Sequence, residues 1–260
     1  MELGLSGKRV LVTGGNSGLG AAMVAAFAAE GARVAINYVA QPDVALSMVR
    51  ALKAQGHEAL ALQADVSDAM AVAKMFVDLD TAWNGLDVLV NNAGIDGARS
   101  MSWEGPPDNW RRVLGINLDG AYYCAREALK RMVAQRAGVI LNTSSVHEFI
   151  AWSGYSAYAA SKAALSMMAK TMAQEAGFAN VRVLCIAPGA IETPINAPVW
   201  QNASDRTDLI SKIAMGRLGT PADIARMAVV LASDVAGYVT GTTVIVDGGM
   251  TDYPAFRHGG

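Results

Sequence analysis

The chain has 260 residues, 52% of them apolar, and 21 basic against 23 acidic side chains leave a net charge of −2. That content can bury one large core, and α/β chains of this length commonly remain a single domain. The near-balance of charge excludes a nucleic-acid surface or a polybasic membrane patch, so a small molecule is the expected partner. No basic leader with an apolar stretch opens the chain, and no run of about 18 uncharged apolar residues would cross a bilayer. Cys124 and Cys185 stand alone in apolar surroundings. They read as buried free thiols of a cytoplasmic protein.

Strands are predicted at Arg9–Thr13, Arg33–Tyr38, Glu58–Gln63, Val88–Asn91, Val139–Thr143, Arg182–Ile186 and Thr243–Val246, with helix-length intervals between them. Strands alternating with helices imply parallel crossovers. The expected fold is therefore α/β: a single-domain, doubly wound parallel sheet of Rossmann type spanning residues 1–260, with helices on both faces. Residues 189–215 are rich in Pro, Asn, Ser and Thr and follow the sixth strand. Binding crevices form at the carboxyl ends of such strands, so this segment reads as a substrate lid.

The first strand runs into Thr13-Gly14-Gly15-Asn16-Ser17-Gly18-Leu19-Gly20, and an alanine-rich helix follows. Glycines at a strand-to-helix turn allow positive φ and bring backbone N–H groups close to a pyrophosphate. Alone, such a turn is equally an ordinary tight turn. A second apolar strand at βαβ distance, Arg33–Tyr38, favours the dinucleotide reading.

Further along lies Tyr158-Ala-Ala-Ser-Lys162, with Ser145 thirteen residues upstream and Asn117 further back. Positions i and i+4 share a helix face, which sets the Lys162 ammonium beside the Tyr158 phenol. A tyrosine titrates near ~10, and bringing it to about 7 requires roughly 4 kcal/mol of phenolate stabilisation. A cation ~5 Å away at an effective dielectric of ~20 supplies about 3 kcal/mol of that. Tyr158 is thus expected to be a base with a lowered pKa, with Ser145 polarising the reacting oxygen. The same spacing also describes a tyrosine ring lying under a lysine stem.

Together, the glycine turn, Asn91-Asn92-Ala93-Gly94, Asn117, Ser145, Tyr158-x-x-x-Lys162, Pro188-Gly189 and Asp247-Gly248-Gly249 resemble the short-chain dehydrogenase/reductase family over nearly the whole chain. A narrower resemblance, to bacterial glucose 1-dehydrogenases, lies in Ser144–Glu148, Gly189–Ala197 and the segment from Tyr238 to Phe256. The family resemblance implies catalysis by Asn117, Ser145, Tyr158 and Lys162, with Asn117 either a strained mid-helix residue or the holder of a proton-relaying water. It implies NAD or NADP as cofactor. Contacts would come from Gly14, Asn16, Ser17, Gly18, Leu19 and Gly20 at the phosphate turn, and from Asn37 and Tyr38 at the second strand. Asp65, Val66, Asn91, Ala93 and Gly94 would add theirs, with Tyr158, Lys162, Pro188, Gly189, Ile191 and Thr193 closing the site. Asp65 reads equally as a turn or helix-capping aspartate.

At the second strand's end NAD selection wants an acid and NADP selection a cation, yet the chain has Tyr38 and neutral Val39 there. Either cofactor is accommodated. Asp96, Ser145, His147, Tyr158 and Asn196 are the substrate-binding candidates, with Glu148 and residues 253–256 as further ones. The implied activity is oxidation of an aldose at C1 to its lactone. Alternatives are a ketone or 3-oxoacyl reductase, another polyol dehydrogenase, and a catalytically silent nucleotide sensor. No metal is expected, because the His and Cys spacing offers no ligand set. Long apolar helices around Asn117 and Tyr158 suggest a homotetramer.

Overall fold

A computed structural model describes residues 2–252 of the chain; the candidate residues at 253–256 lie outside the described residues. In chain order the main elements are β1 (Arg9–Val12), α1 (Gly18–Ala29), β2 (Arg33–Tyr38), α2 (Pro42–Ala54), β3 (Ala59–Gln63), α3 (Ala69–Trp83) and β4 (Val88–Asn91). They continue with α4 (Pro107–Leu114), α5 (Gly120–Gln135), β5 (Gly138–Thr143), α6 (Ser156–Ala176), β6 (Val181–Pro188), α7 (Ala197–Trp200), α8 (Ala203–Ser211), α9 (Pro221–Ala232) and β7 (Thr243–Val246). All strand pairs are parallel, in the order β3-β2-β1-β4-β5-β6-β7. The expected doubly wound sheet is what forms, in one domain.

Strand parity explains why both faces are covered. Val10, Val12, Val34 and Ile36 point to one side, where they pack with Val24 and Phe27 of α1 and Val229 of α9. Leu11, Ala35, Leu89 and Ile140 point to the other, against Phe76 and Leu79 of α3, Met132 of α5 and Ala169 of α6. A parallel strand buried on both faces must be apolar throughout, which is why these strands read as continuous apolar runs.

The strand order reverses between β1 and β4, and the loops after those strands part to opposite faces. This is the switch point at which a crevice opens beyond the strands' carboxyl ends. Segment 189–215 arches over it as a short turn at Pro194–Asn196 followed by α7 and α8. An isolated bridge from Ile191 to Gly219 fixes its base, and a small cluster of Val146, Ile213, Leu218 and Met250 lies beneath it.

Candidate active site

The crevice is a cleft of about 1380 Å³ that runs from the glycine turn to the lid segment. Its glycine end is held by side chains bonding to backbone. Asn37 Oδ1 accepts from Gly14 N at 3.2 Å while its Nδ2 donates to Ala64 O at 3.0 Å. Thr13 Oγ1 accepts from Asn92 N at 2.9 Å and Ala93 N at 3.0 Å, and Asn92 Nδ2 donates to Thr13 O at 3.0 Å. The turn between β1 and α1 is thereby tied to β2, β3 and β4.

Gly14 and Gly18 adopt φ of +59° and +51°, the left-handed region that glycine enters without strain. No side chain caps α1. Its first N–H groups therefore remain available at a helix N-terminus bordered by Gly14, Asn16, Ser17, Gly18 and Leu19. These features fit a dinucleotide pyrophosphate.

Three expected cofactor contacts lie off the cleft wall. Gly20 is buried, and a Cβ there would come within 2.3 Å of Gly14 O and 2.7 Å of Asn92 Nδ2, so this glycine lets α1 pack against the turn. Tyr38 shares the parity of Val34 and Ile36, and its ring enters the helix layer at 8% exposure. Val39, 61% exposed, is instead the first side chain beyond β2 to border the cleft. Asn91 is buried between strands, where its Nδ2 donates to Asn142 Oδ1 at 2.9 Å and Ala121 O at 3.0 Å. Its neighbour Asn92 lines the cleft in its place.

Asp65, Val66, Ala93 and Gly94 border the cleft as expected. Asp65 is also a turn residue, accepting from Ser67 N at 2.9 Å and Ser67 Oγ at 2.7 Å, while Asp68 caps α3. At the other end Pro188, Gly189, Ile191 and Thr193 line the wall. Gly189 permits β6 and β7 to end side by side, since a Cβ would meet Asp247 Cα at 2.8 Å.

Asn117 and Lys162, two of the four residues expected to be catalytic, meet beside Gly94. Asn117 sits in a five-residue π turn, Gly115–Asp119, between α4 and α5. Such turns arise where one extra residue is accommodated, and they are frequent at functional sites. Its Oδ1 accepts from Ile95 N at 2.9 Å, and its Nδ2 donates to Ile95 O at 2.9 Å and Ser161 Oγ at 3.1 Å. Asn117 therefore clamps the loop after β4 to α6 from behind the cleft wall. A Cβ placed on Gly94 would lie 3.3 Å from Asn117 Oδ1 and 3.6 Å from Lys162 Nζ.

Ser145 caps the turn Val146–Glu148 by accepting from His147 N at 3.2 Å, and its hydroxyl is near enough to the Tyr158 phenol to favour the ionised form. Lys162 Nζ donates to Thr143 O at 2.7 Å and lies 5.5 Å from the Tyr158 ring centre.

The electrostatics differ from the sequence expectation. Burial pushes the Tyr158 phenol up to about 12; Ser145 draws it down and the Asp96 carboxylate pushes it up. Burial likewise lowers Lys162 to about 8, against the partial support of Cys185, Asp96 and Glu148. Lys162 stands over the ring with its ammonium turned to a carbonyl and is buried, while Tyr158 is half-buried on the cleft wall. Desolvation outweighs the ion–phenolate attraction on which the expected fall depended.

Asp96 borders the cleft, and burial raises its pKa against the pull of Lys162. His147 also lines it, with Nδ1 at 3.1 Å from Ile150 O, and burial lowers its pKa against the opposing effect of that hydrogen bond. Asn196 lines the cleft, but its Oδ1 accepts from Thr193 N at 3.2 Å and Thr193 Oγ1 at 2.9 Å. That oxygen is engaged in capping its own turn. Glu148 turns away from the cleft altogether and accepts from the hydroxyls of Ser144 and Thr243.

Sequence reading missed an aromatic wall. His147 stacks on Trp152 at 4.5 Å, Trp152 stacks on Tyr155 at 3.9 Å, and His147 and Trp152 both meet the Tyr158 ring edge-on, at 6.2 and 5.8 Å. The three-residue spacing of Trp152, Tyr155 and Tyr158 was the available signal.

A family model described as Enoyl-(Acyl carrier protein) reductase matches residues 14–251, a span that begins at the glycine turn and takes in Asn117, Ser145, Tyr158 and Lys162. The chain belongs to the short-chain dehydrogenase/reductase family. This short-chain dehydrogenase/reductase is 46% identical over 256 residues to 3beta-hydroxysteroid dehydrogenase 1 of Eggerthella lenta, covering 98% of both chains. It is 37% identical over 255 residues to Glucose 1-dehydrogenase 2 of Bacillus subtilis, covering 96% of this chain and 97% of that one. Its fold matches a gluconate 5-dehydrogenase from Burkholderia cenocepacia, solved with NADP and tartrate, at a TM-score of 0.92 and 30% identity over 96% of this chain and 98% of the other. The protein is accordingly an NAD(P)-dependent oxidoreductase acting on a small molecule. Among the described residues no helix is long and apolar enough to cross a membrane.

Proposed function

We propose that this enzyme interconverts a secondary alcohol and its ketone on a flat, largely apolar ring substrate of the hydroxysteroid kind. The observation that carries this reading is the stacked pair of His147 and Trp152 on the cleft wall, both edge-on to Tyr158, with Tyr155 stacked on Trp152 from outside the cleft. Val146, Ile150, Ile195 and Met250 extend the same cleft with apolar side chains. Burying a flat hydrocarbon there is worth about 25 cal/mol per Å² of apolar surface. The 46% identical relative, named for a 3beta-hydroxysteroid, agrees with it.

A second reading, oxidation of an aldose at C1 to its lactone, is favoured by the Asp96 carboxylate on the cleft wall and by the 37% identical glucose dehydrogenase. Asn196 gives it little, because its carbonyl oxygen is already bonded to Thr193.

Bound along the glycine-turn half of the cleft, NAD(P) supplies or receives the hydride. Tyr158 exchanges the proton. At about 12 its phenol is protonated at neutral pH, so it is poised as the acid for carbonyl reduction. Ser145 holds the reacting oxygen by hydrogen bonding, and Lys162 keeps positive charge beside the phenol to favour its ionised form. Asn117 fixes the loop at Ile95 that faces them.

Segment 189–215 serves as the substrate lid in this reading, since Thr193, Ile195, Val199 and Leu209 reach the cleft. Exposed Trp110, Tyr122 and Met167 on α4, α5 and α6 support association, with a homotetramer as the inferred form. The buried free thiols Cys124 and Cys185 suit a cytoplasmic setting.

Steady-state kcat/KM values for a 3β-hydroxysteroid, glucose, cyclohexanol and an acetoacetyl thioester, each with NAD and NADP, test the assignment. The steroid should lead, and Trp152→Ala should reduce its kcat/KM more than that of cyclohexanol. Glucose leading by tenfold or more would replace this substrate class with the aldose.

A further inference from the structure

Glu148 lies three residues after Ser145 on the turn that follows β5, half-buried and turned away from the cleft. Its two oxygens have separate partners. Oε2 accepts the Ser144 hydroxyl, and Oε1 accepts the Thr243 hydroxyl at 2.9 Å. Ser144 Oγ also lies 3.4 Å from the carbonyl of Lys162. Thr243 opens the edge strand β7, where it pairs in register with Cys185 of β6. One carboxylate therefore joins the turn bearing Ser145 to the start of the edge strand, and the same Ser144 oxygen lies beside the Lys162 carbonyl.

We infer that Glu148 is a positioning residue, bracing the Ser144–Ser145 turn against β7 and keeping a negative charge near Lys162. The inference rests on the reading of Ser145, Tyr158 and Lys162 as the proton-handling set.

The chemistry of the pair explains why a carboxylate stands there. Two hydroxyl donors converge on it, and an ionised acceptor makes shorter and stronger bonds than a neutral one. The charge has a second effect. Lys162 is buried, and the groups that face it are Tyr158 on its own helix, Cys185 from β6, Asp96 from the loop after β4, and Glu148. Glu148 supports the ammonium against the cost of burial, which by itself draws Lys162 down. Carbonyl reduction needs Lys162 charged, so its rate should fall as pH rises through the Lys162 pKa. Removing the Glu148 charge lowers that pKa and moves the alkaline limb to lower pH.

Charge and brace are separable by substitution. Glu148→Gln keeps a side chain that can bond both hydroxyls but is neutral. Its alkaline limb of kcat for reduction should move down by about half a pH unit. The Lys162 Nζ titration, followed by NMR in the cofactor-free protein, should move the same way. Thr243→Val keeps the charge and removes one bond of the brace. Its kcat should fall by about tenfold, the effect of about one charge-assisted hydrogen bond, with KM little changed and the limb in place. Glu148→Asp, charged but shorter, should behave as Thr243→Val does, and it carries the test if the glutamine variant does not fold.

A folded Glu148→Gln with unaltered kcat, limb and Lys162 titration overturns the inference. So does a set of variants that lower only the melting temperature. Tyr158→Phe, run in the same assay, separates the two readings. Activity in that variant removes the proton-handling set, while an inactive Tyr158→Phe beside an unaltered Glu148→Gln removes the brace alone.

Discussion

The two halves of the cleft are built on opposite plans. At the glycine end the working groups are backbone, and the side chains around them, Thr13, Asn37 and Asn92, spend their hydrogen bonds fixing that backbone. At the catalytic end the working groups are titratable side chains, half-buried Tyr158 and buried Lys162, whose pKa values move apart, to about 12 and about 8. The first half stores its function in geometry, so it should fail by steric or conformational damage. The second stores it in charge, so it should fail by chemistry while the fold and the nucleotide site stay intact.

Substituting the acid at the catalytic end breaks this contrast most sharply. Tyr158→Phe should lower kcat by 10²–10⁴-fold, the usual worth of a positioned acid or base, with the dissociation constant for nucleotide unchanged in a fluorescence titration. A weakened nucleotide affinity would mean that the halves are not separable.

Tyr38 and Val39 sharpen the picture of the nucleotide half, because adjacent residues there have unrelated jobs. Tyr38→Asp buries an unpaired carboxylate in the helix layer and should lower the melting temperature by several degrees, since isolated buried charges are costly. Among molecules that remain folded the NAD to NADP preference should be unchanged. Val39→Arg, at the exposed site beside the cleft, should raise the NADP to NAD ratio of kcat/KM by about tenfold through pairing with the 2′-phosphate. A cofactor switch in Tyr38→Asp would return that side chain to the ribose.

The smallest expected effects compare two glycines. Gly20→Ala places a methyl 2.3 Å from the Gly14 carbonyl, and such overpacking costs about 1–3 kcal/mol. Melting temperature and nucleotide affinity should both fall, the second because the turn itself must shift. Gly177→Ala meets nothing within 4 Å and has a helical backbone, so thermal unfolding should be unaltered or slightly later. Equal behaviour of the two variants would contradict a nucleotide half held by close packing.

Much of this was legible beforehand. The seven strands fall within two residues of their expected limits, because a parallel strand covered on both faces has to be apolar along its length. Motif spacing also brought Ser145, Tyr158 and Lys162 to one end of the cleft, since Ser145 follows a strand and the other two share a helix face. Less legible was which way single side chains turn. Strand parity sends Tyr38 inwards, Asn196 is consumed by its own cap, and Glu148 faces β7, a strand 95 residues away in sequence.

Sequence by itself determined the fold class and the family, because periodicity and motif spacing are local properties that survive in any compact arrangement of the elements. Only the tertiary structure decided the direction of the Tyr158 pKa. A phenol and an ammonium four residues apart attract at any burial, but the cost of removing both from water depends on what the rest of the chain packs around them. The aromatic wall was decided the same way, with His147 and Trp152 becoming one stacked cleft surface, backed by Tyr155, only when the loop between β5 and α6 folds.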